Sequence, residues 1–251
     1  MHHYALLGRH LSHSFSKIYF EEKFRRLNLE GGNYKLVETE DLSSLRSLVS
    51  ELALDGFNVT IPYKVDIIPL LDAVDPTALE TGAVNTVLVS QGKTLTGFNT
   101  DAPAFMETLT PHLKPWHDKA LILGTGGAAR AVAWALRRLN INYRFVSRNP
   151  ERDFSEGIDK SLVTSYEGAY EMVSDHFLII NATPLGMFPN CHATPWQHDE
   201  LITQRHLCFD LVYNPSPSLF LQQAHERGAT TIDGLAMLHR QADLAFDIWN
   251  E

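Results

Sequence analysis

Cysteine is scarce in this chain of 251 residues, and that scarcity excludes two classes of protein. Cys191 and Cys208 are the two cysteines, and neither stands in a CxxC or Cys/His spacing that would build a zinc site. The twelve histidines include no HExxH pattern, so no metal site is predicted. Two cysteines also cannot staple a small secreted fold, so we expect a reducing compartment, the cytoplasm.

Long apolar runs and an excess of positive charge are missing as well. No apolar stretch approaches the roughly 20 residues of a membrane span, and the run Ala5 to Leu7 is too short for a signal peptide. Lys and Arg number 21 against 30 Asp and Glu, for a formal net charge of −9. This deficit argues against nucleic acid or an anionic membrane as the main partner and leaves small ligands open. The sequence does not decide between a monomer and a homodimer.

Apolar residues make up 44% of the chain and charged residues 20%, which is the composition of a globular protein of one or two domains. In the first hundred residues, short apolar runs alternate with stretches of helical period. The predicted elements there are a strand at 4–7, a helix at 16–27, a strand at 54–60, a helix at 63–71, and a hairpin of strands 84–90 and 93–97 that turns at Gln91-Gly92.

A second series of elements begins after a proline-containing stretch, and we place a domain boundary near residue 102. Strands separated by helices predict a parallel sheet with right-handed crossovers. The chain ends in a strongly amphipathic helix, 235–249. The other elements predicted in this half are strands at 120–123, 143–147, 177–181, 207–212 and 229–233, and helices at 127–139 and 218–227.

The clearest local signal is a glycine-rich turn between the strand at 120–123 and the helix that follows it. Gly124 permits the tight turn, Gly126 lets the backbone approach a pyrophosphate, and Ala129 allows the helix to pack closely on the strand. The amides and the positive dipole end of the helix then face the phosphates. The alternative is a turn that uses glycine for geometry alone, but the flanking strand and helix favour a dinucleotide.

The next strand indicates which dinucleotide. It runs into Arg148, where a cofactor without a 2′-phosphate usually meets an acidic residue, and Arg152 follows four residues later. A guanidinium suits a 2′-phosphate because it forms paired, charge-assisted hydrogen bonds. The sequence therefore favours NADP over NAD, although Arg148 taken alone is equally an ordinary exposed arginine.

Several polar residues stand at the ends of the predicted elements, and each has an ordinary explanation when taken alone. Lys64 follows a proline-stiffened turn, and a lysine without context is usually a solvated surface charge. Asp101 and Ser16 each precede or begin a predicted helix and have the residue type of an N-cap. Gln241 would be assigned to the surface. A nicotinamide enzyme nevertheless needs a proton donor beside its substrate, so these residues are also candidates for its site.

Taken in order, these stretches resemble the shikimate dehydrogenase family over nearly the whole chain. The resemblance implies an α/β fold of two domains with a cleft between them. Residues 1–101 plus 235–251 would form a split N-terminal α/β substrate domain, and 102–234 a Rossmann-type NADP-binding domain. The matching stretches are 12–16 (SHSFS), 58–64, 82–86, 97–101, 124–129, 181–187 and 210–215, with Gly234, Leu235, Met237, Leu238 and Gln241.

The resemblance also implies an activity, the reversible NADP-dependent reduction of 3-dehydroshikimate to shikimate in aromatic amino acid biosynthesis. By this resemblance Lys64 is the catalytic acid/base and Asp101 its partner. Together with these two, the substrate would be held by Ser14, Ser16, Thr60, Asn85, Tyr213 and Gln241. The cofactor would be bound by Gly124, Thr125, Gly126, Gly127 and Ala128 at the pyrophosphate, by Ser147, Arg148, Asn149 and Arg152 at the 2′-phosphate, and by Leu211 and Gly234 at the nicotinamide.

The chemistry of the implied reaction suits these residue types. A hydride that arrives at a carbonyl carbon leaves negative charge on the oxygen, and a cationic donor lowers the barrier through electrostatics and proton transfer. Lys64 can do both, and Asp101 would orient its ammonium group. Side chains with hydroxyl, amide and carboxylate groups also select a polyhydroxylated acid better than apolar walls do.

The chain departs from the family pattern in its first loop and in its adenosine loop. His10 and Lys17 stand where proline is usual, and Tyr19-Phe20 where His-Asn is common. The adenosine loop reads SRN at 147–149 instead of the usual Asn-Arg-Thr, which keeps the arginine. Two alternatives therefore stay open: a relative that also oxidises quinate or accepts NAD, and a non-catalytic sensor of the same fold.

Overall fold

A computed structural model of the chain describes residues 2–11, 14–29, 31–90, 93–154 and 158–250. Ser12 and His13 of the first matching stretch, and the hairpin turn Gln91-Gly92, lie outside the described residues. The chain divides into two compact units, Met1–Thr100 with His239–Glu251, and Asp101–Leu238. Each unit contains a six-stranded sheet.

Strands and helices alternate along most of the described chain. The strands are β1 (His3–Gly8), β2 (Asn33–Glu38), β3 (Gly56–Val59), β4 (Ala73–Val74), β5 (Thr86–Val89), β6 (Leu95–Phe98), β7 (Lys119–Leu123), β8 (Asn142–Val146), β9 (Val163–Thr164), β10 (Leu178–Asn181), β11 (Leu207–Asp210) and β12 (Thr230–Ile232). The helices are α1 (Ser16–Arg26), α2 (Leu45–Glu51), α3 (Pro76–Thr81), α4 (Asp101–Leu109), α5 (Gly127–Arg138), α6 (Tyr166–Met172), α7 (Leu219–Glu226) and α8 (Leu235–Asn250).

The first sheet is mixed, with the strand order β2-β1-β3-β5-β6-β4. β1 runs parallel to β2 and β3, whereas β5 is antiparallel to both β3 and β6. Alternate residues of β1 enter two different cores: Ala5 and Leu7 pack with Phe57 on one face, and Tyr4 and Leu6 join the cluster of α1 and α8 on the other. This alternation follows from the two-residue period of a strand that is buried on both faces.

Every strand pair of the second sheet is parallel, in the order β12-β11-β10-β7-β8-β9. The central strand β7 is almost wholly buried, which explains its continuous apolar run Ala120 to Leu123. The next two strands along the chain, β8 and β9, lie on one side of β7. The last three, β10 to β12, lie on its other side, so the order of the strands reverses at β7. The predicted two-domain α/β fold is confirmed.

Two of the predicted elements differ from the structure for reasons of local chemistry. The helix predicted over 63–71 is wrong, because Ile68–Leu70 forms only a short 3-10 turn and Pro69 cannot continue a regular hydrogen-bond ladder. The strand predicted to reach 212 ends at Asp210, whose side chain accepts the backbone N–H of Val212. The strands of the predicted hairpin do pair as expected. Within the described part of the chain, no helix combines the length and the apolar character needed to cross a bilayer.

Candidate functional site

The predicted substrate residues Ser14 and Thr60 follow two strands that end at the same edge of the first sheet. Because β1 and β3 are parallel, their carboxyl ends meet at this edge, which we call the β1/β3 edge. Thr60 directly follows β3 and donates its backbone N–H to the carbonyl of Leu7 at 2.9 Å. The loop with Ser14 follows β1 and leads into α1, where the Ser14 Oγ accepts the backbone N–H of Ser16 at 3.3 Å. Ser16 is the first residue of α1, and its N-cap is Phe15.

Lys64 and Asn85 lie at the same edge. The backbone carbonyl of Lys64 accepts the N–H of Val84 at 2.7 Å, which places the segment before β5 beside the turn that carries the lysine. Asn85 is buried, and both ends of its amide bond Thr100: Oδ1 accepts the Thr100 N–H at 2.7 Å and Nδ2 donates to Thr100 Oγ1 at 2.9 Å. The orientation of Asn85 is therefore set by contacts at the end of its own sheet.

A buried hydrogen-bond chain joins this asparagine to Tyr34 of β2. The Tyr34 hydroxyl donates to Asn58 Oδ1 at 2.7 Å, and Asn58 Nδ2 donates to the Asn85 carbonyl at 3.2 Å. Burial raises the pKa of Tyr34 well above its usual value, and a hydrogen bond from Ser16 opposes that rise. Sequence reasoning assigned no role to Tyr34 or Asn58, although a polar residue within the apolar strand β3 was a signal that could have found Asn58.

Gln241 lies on α8, and two residues that flank it on this helix, His239 and Asp243, contact α1. His239 stacks on the ring of Tyr19 at a centroid distance of 4.8 Å. Asp243 accepts hydrogen bonds from Tyr19 and from the buried Lys23 of α1. The structure thus fixes the helix of Gln241 against the helix that begins at Ser16.

In the second unit, the glycine turn connects β7 to α5. Gly124 has φ +107°, and a Cβ at that position would lie 2.9 Å from Thr183 Cγ2, so glycine is required there. A Cβ built on Gly126 would meet no atom of the described residues within 4 Å, because this side of the turn faces open space. Gly126 is the N-cap of α5, and no side chain of the described residues caps that helix. Open space in front of uncapped helix amides suits the pyrophosphate of a dinucleotide.

An arginine side chain lies beside this turn. Arg152 Nη2 donates to Thr125 Oγ1 at 2.7 Å, which brings the loop after β8 onto the glycine turn. Ser147 Oγ accepts the backbone N–H of Asn149 at 3.2 Å and shapes the same loop. Arg148 is exposed, and its charge opposes the rise that burial causes in the pKa of Tyr166. These residues fit a 2′-phosphate at the end of β8.

The predicted nicotinamide residues also come together. Gly234 donates its backbone N–H to the Val212 carbonyl at 3.2 Å, and a Cβ on Gly234 would lie only 2.3 Å from the carbonyl oxygen of Leu211. Glycine is therefore the residue that this close approach allows. Tyr213 follows in the same turn, and burial raises the pKa of its hydroxyl.

Parallel pairing brings all of these segments to one side of the second sheet. The glycine turn, Ser147, Leu211 and Gly234 follow β7, β8, β11 and β12, respectively, so they stand at the carboxyl edge. Ligands of open α/β sheets bind at this edge, where the order of the strands reverses. Asp101 and Tyr213 belong to this unit, whereas Lys64 and Gln241 belong to the first one. Asp101 is the first residue of α4.

A family profile and two curated relatives match the chain. The profile, described as the shikimate dehydrogenase substrate binding domain, matches residues 6–87. The shikimate dehydrogenase (NADP(+)) of Desulforamulus reducens is 34% identical over 98% of this chain and 88% of its own length. The protein of the same name from Methanococcus maripaludis is 36% identical over 98% of this chain and 90% of its own length.

A solved structure shows the same similarity. It is the shikimate 5-dehydrogenase of Thermus thermophilus in complex with NADP(H) and shikimate. The two chains are 38% identical and superpose with a TM-score of 0.86, and the alignment covers 99% of this chain and 93% of that one.

Proposed function

The chain belongs to the shikimate dehydrogenase family, and from that membership we propose that it catalyses the reversible, NADP-dependent reduction of 3-dehydroshikimate to shikimate. The observation that carries this proposal is similarity at more than 30% identity along 98% of the chain, because a relative that had kept only one domain would not match over both units. The family name also makes the chain an oxidoreductase that acts on a CH–OH group.

The acid/base chemistry is proposed for Lys64. Its ammonium donates a proton to the ketone oxygen as that oxygen becomes negative, and in the reverse reaction the neutral amine takes the proton from the hydroxyl. Asp101 is proposed as the carboxylate that orients this ammonium. Support for Lys64 comes from its place at the β1/β3 edge, where its backbone is bonded to Val84 next to the buried Asn85.

Substrate recognition is proposed for polar side chains at the ends of elements. Ser14 and Ser16 would hold the carboxylate, and Thr60, Asn85, Tyr213 and Gln241 the ring hydroxyls. The support is geometric for Asn85, whose backbone carbonyl ends a buried hydrogen-bond chain from Tyr34 through Asn58. A prearranged set of hydrogen-bond partners discriminates against analogues that lack a hydroxyl, because its own groups would then stay unpaired.

Cofactor binding is proposed for the carboxyl edge of the second sheet. When bound there, NADPH supplies the hydride. The backbone from Gly124 through Thr125, Gly126, Gly127 and Ala128 would hold the pyrophosphate at the start of α5. Ser147, Arg148, Asn149 and Arg152 would hold the 2′-phosphate, and Leu211 and Gly234 the nicotinamide. The contact of Arg152 with Thr125 supports this assignment, because it places a guanidinium next to the glycine turn.

We further propose that the enzyme works in the cytoplasm, in the biosynthesis of chorismate and the aromatic amino acids. Both cysteines are free thiols, as a reducing compartment requires. Its proposed partners are small molecules, and it would act as a monomer or a homodimer.

A substrate and cofactor panel tests the proposal on the purified protein. NADPH oxidation with 3-dehydroshikimate, and reduction of NADP⁺ or NAD⁺ with shikimate or quinate, are followed at the absorbance of the reduced nicotinamide. We expect turnover with shikimate and NADP⁺, with quinate and NAD⁺ slower. Equal rates with quinate or NAD⁺ would support the enzyme of broad specificity. Binding of shikimate and NADP⁺ without any turnover would support the sensor and overturn the proposal.

A further inference from the structure

A carboxyl group lies inside the second unit where the proposed chemistry makes no use of it. Asp210 ends β11 and has no exposed surface, after three buried residues of the same strand. Burying a carboxylate is unfavourable unless hydrogen bonds replace its water. The partners of this side chain therefore indicate what it does.

Three neutral donors converge on the two oxygens of Asp210. Oδ1 accepts Nδ2 of Asn181 at 2.8 Å and the backbone N–H of Val212 at 2.9 Å. Oδ2 accepts the hydroxyl of Ser218 at 2.5 Å. These donors come from the end of β10, from the turn after β11 and from the N-cap of α7. One carboxylate thus joins three separate segments at the carboxyl edge.

The turn that Asp210 holds is the turn proposed to receive the nicotinamide. Leu211 donates its backbone N–H to the Asn181 carbonyl at 3.0 Å, and Gly234 donates its own to the Val212 carbonyl at 3.2 Å. Because Gly234 approaches Leu211 so closely, a small displacement of residues 211–212 would change the surface that both residues present. The hydrogen bond from the Val212 N–H to Asp210 Oδ1 opposes such a displacement.

We propose that Asp210 is a positioning residue for the reaction, whose ionised carboxylate fixes Leu211 for the nicotinamide by holding the Val212 amide. This inference rests on the proposed function, since it assumes that the turn binds that end of the cofactor. It does not make Asp210 a catalytic residue, because the buried carboxylate contacts protein donors rather than the reacting atoms.

The strength of this hold depends on the charge of the carboxylate. Burial raises the pKa of Asp210 to about 6, against the opposing effect of its bonds from Ser218, Val212 and Asn181. Asp233, which accepts a hydrogen bond from Ser216, raises the pKa further. Asp210 in turn adds to the rise that burial causes in the pKa of the Cys208 thiol. Hydrogen bonds to a charged acceptor are stronger than those to a neutral one. The hold on Val212 should therefore weaken as pH falls through about 6.

The test measures two Michaelis constants, the NADPH KM and the 3-dehydroshikimate KM, between about pH 5 and pH 8 in wild type and three variants. Asp210→Asn keeps the shape and removes the charge. We expect it to raise the NADPH KM about fivefold at pH 8, to leave the other KM unchanged, and to abolish the rise that wild type shows below about pH 6. Ser218→Ala keeps both bonds to Oδ1 and removes one that lowers the pKa. It should keep the wild-type KM at pH 8 and move the rise to higher pH.

Asp199→Asn is the matched control, because it removes a carboxylate of the same unit that pairs with Arg227 at the surface. It should follow wild type at every pH. A wild-type KM and pH profile in Asp210→Asn would overturn the inference, and so would equal rises in the KM of both substrates, which general loosening produces. Absence of turnover in wild type would overturn the proposed function and this inference with it. Normal wild-type turnover, with the NADPH KM and its pH profile unchanged in Asp210→Asn and Ser218→Ala, would overturn this inference alone.

Discussion

In the first unit, the Tyr34 hydroxyl donates a 2.7 Å hydrogen bond to Asn58 Oδ1, although the two residues lie on strands that are not neighbours. β1 runs between their strands, so the tyrosine side chain reaches across it on the face covered by α1. Through Asn58, this contact reaches the backbone carbonyl of Asn85, a residue proposed to bind the substrate.

Removing that hydroxyl should weaken both substrate binding and stability. We expect Tyr34→Phe to raise the 3-dehydroshikimate KM about fivefold and to lower the free energy of unfolding by about 1–2 kcal/mol, because Asn58 Oδ1 loses a partner inside the core. Steady-state kinetics and urea denaturation measure the two effects. Tyr143→Phe, which removes an exposed hydroxyl bonded by Arg137, is the control and should change neither quantity. An unchanged KM in Tyr34→Phe would contradict the link.

The acid/base role of Lys64 predicts a loss of rate rather than of affinity. Lys64→Ala should lower kcat by a factor of about 10² to 10⁴, with little change in the substrate KM, because proton donation matters most in the transition state. The control is Lys119→Ala, which removes an exposed lysine paired with Asp175 and should retain wild-type turnover. Turnover near wild type in Lys64→Ala would show that another group supplies the proton.

The two glycines of the turn after β7 should respond differently to alanine. At Gly126 the added methyl group points into open space, so Gly126→Ala should lower the free energy of unfolding by less than about 1 kcal/mol while strongly raising the NADPH KM. At Gly124 the positive φ and the contact with Thr183 predict a stability loss of about 1–3 kcal/mol. Denaturation and kinetics on both variants separate the roles. If Gly126→Ala kept the wild-type NADPH KM, the pyrophosphate would not bind at this turn.

The proposed 2′-phosphate contacts predict a change that depends on the cofactor. Arg148→Ala and Arg152→Ala should each raise the NADPH KM about tenfold, because each loses charge-assisted bonds to the phosphate. The NADH KM should stay the same, since NADH lacks that phosphate. Arg227→Ala removes an arginine paired with Asp199 and serves as the control for both. Equal effects on NADPH and NADH would mean that these arginines act on some other part of the nucleotide.

The buried Asp210 predicts a pH dependence of stability with a definite sign. Its pKa is about 6 in the folded chain against an ordinary value of 3.8, so the folded state binds the proton more tightly. Its contribution to the free energy of unfolding therefore falls by at most about 3 kcal/mol as pH rises from about 4 to 6. Above about pH 6 this contribution stays level. Urea denaturation of wild type and Asp210→Asn at about pH 4.5 and pH 7.5 measures it. The free energy of unfolding of wild type minus that of Asp210→Asn should be larger at the lower pH. A smaller difference at the lower pH would contradict the raised pKa of Asp210.

Much of the fold was predictable because its signals are local. The apolar run of β7, the glycines after it and the helical period of α5 occupy one stretch of about 20 residues, and a parallel sheet follows from strands that alternate with helices. The prediction failed at 63–71, where the apolar spacing resembled a helix and the proline within it decided otherwise. The fold class and the cofactor were confirmed by the comparisons, whereas the roles of Lys64, Asp101 and the other site residues stay predictions.

By itself, the sequence determined the residue types of the site: a lysine after a proline turn, glycines at the start of a helix and arginines at the end of a strand. Tertiary structure alone decided that Tyr34 reaches Asn58 and that three segments converge on Asp210. The physical reason is distance along the chain. Asn181 and Asp210 are 29 residues apart, and only the parallel pairing of β10 with β11 brings their buried side chains together.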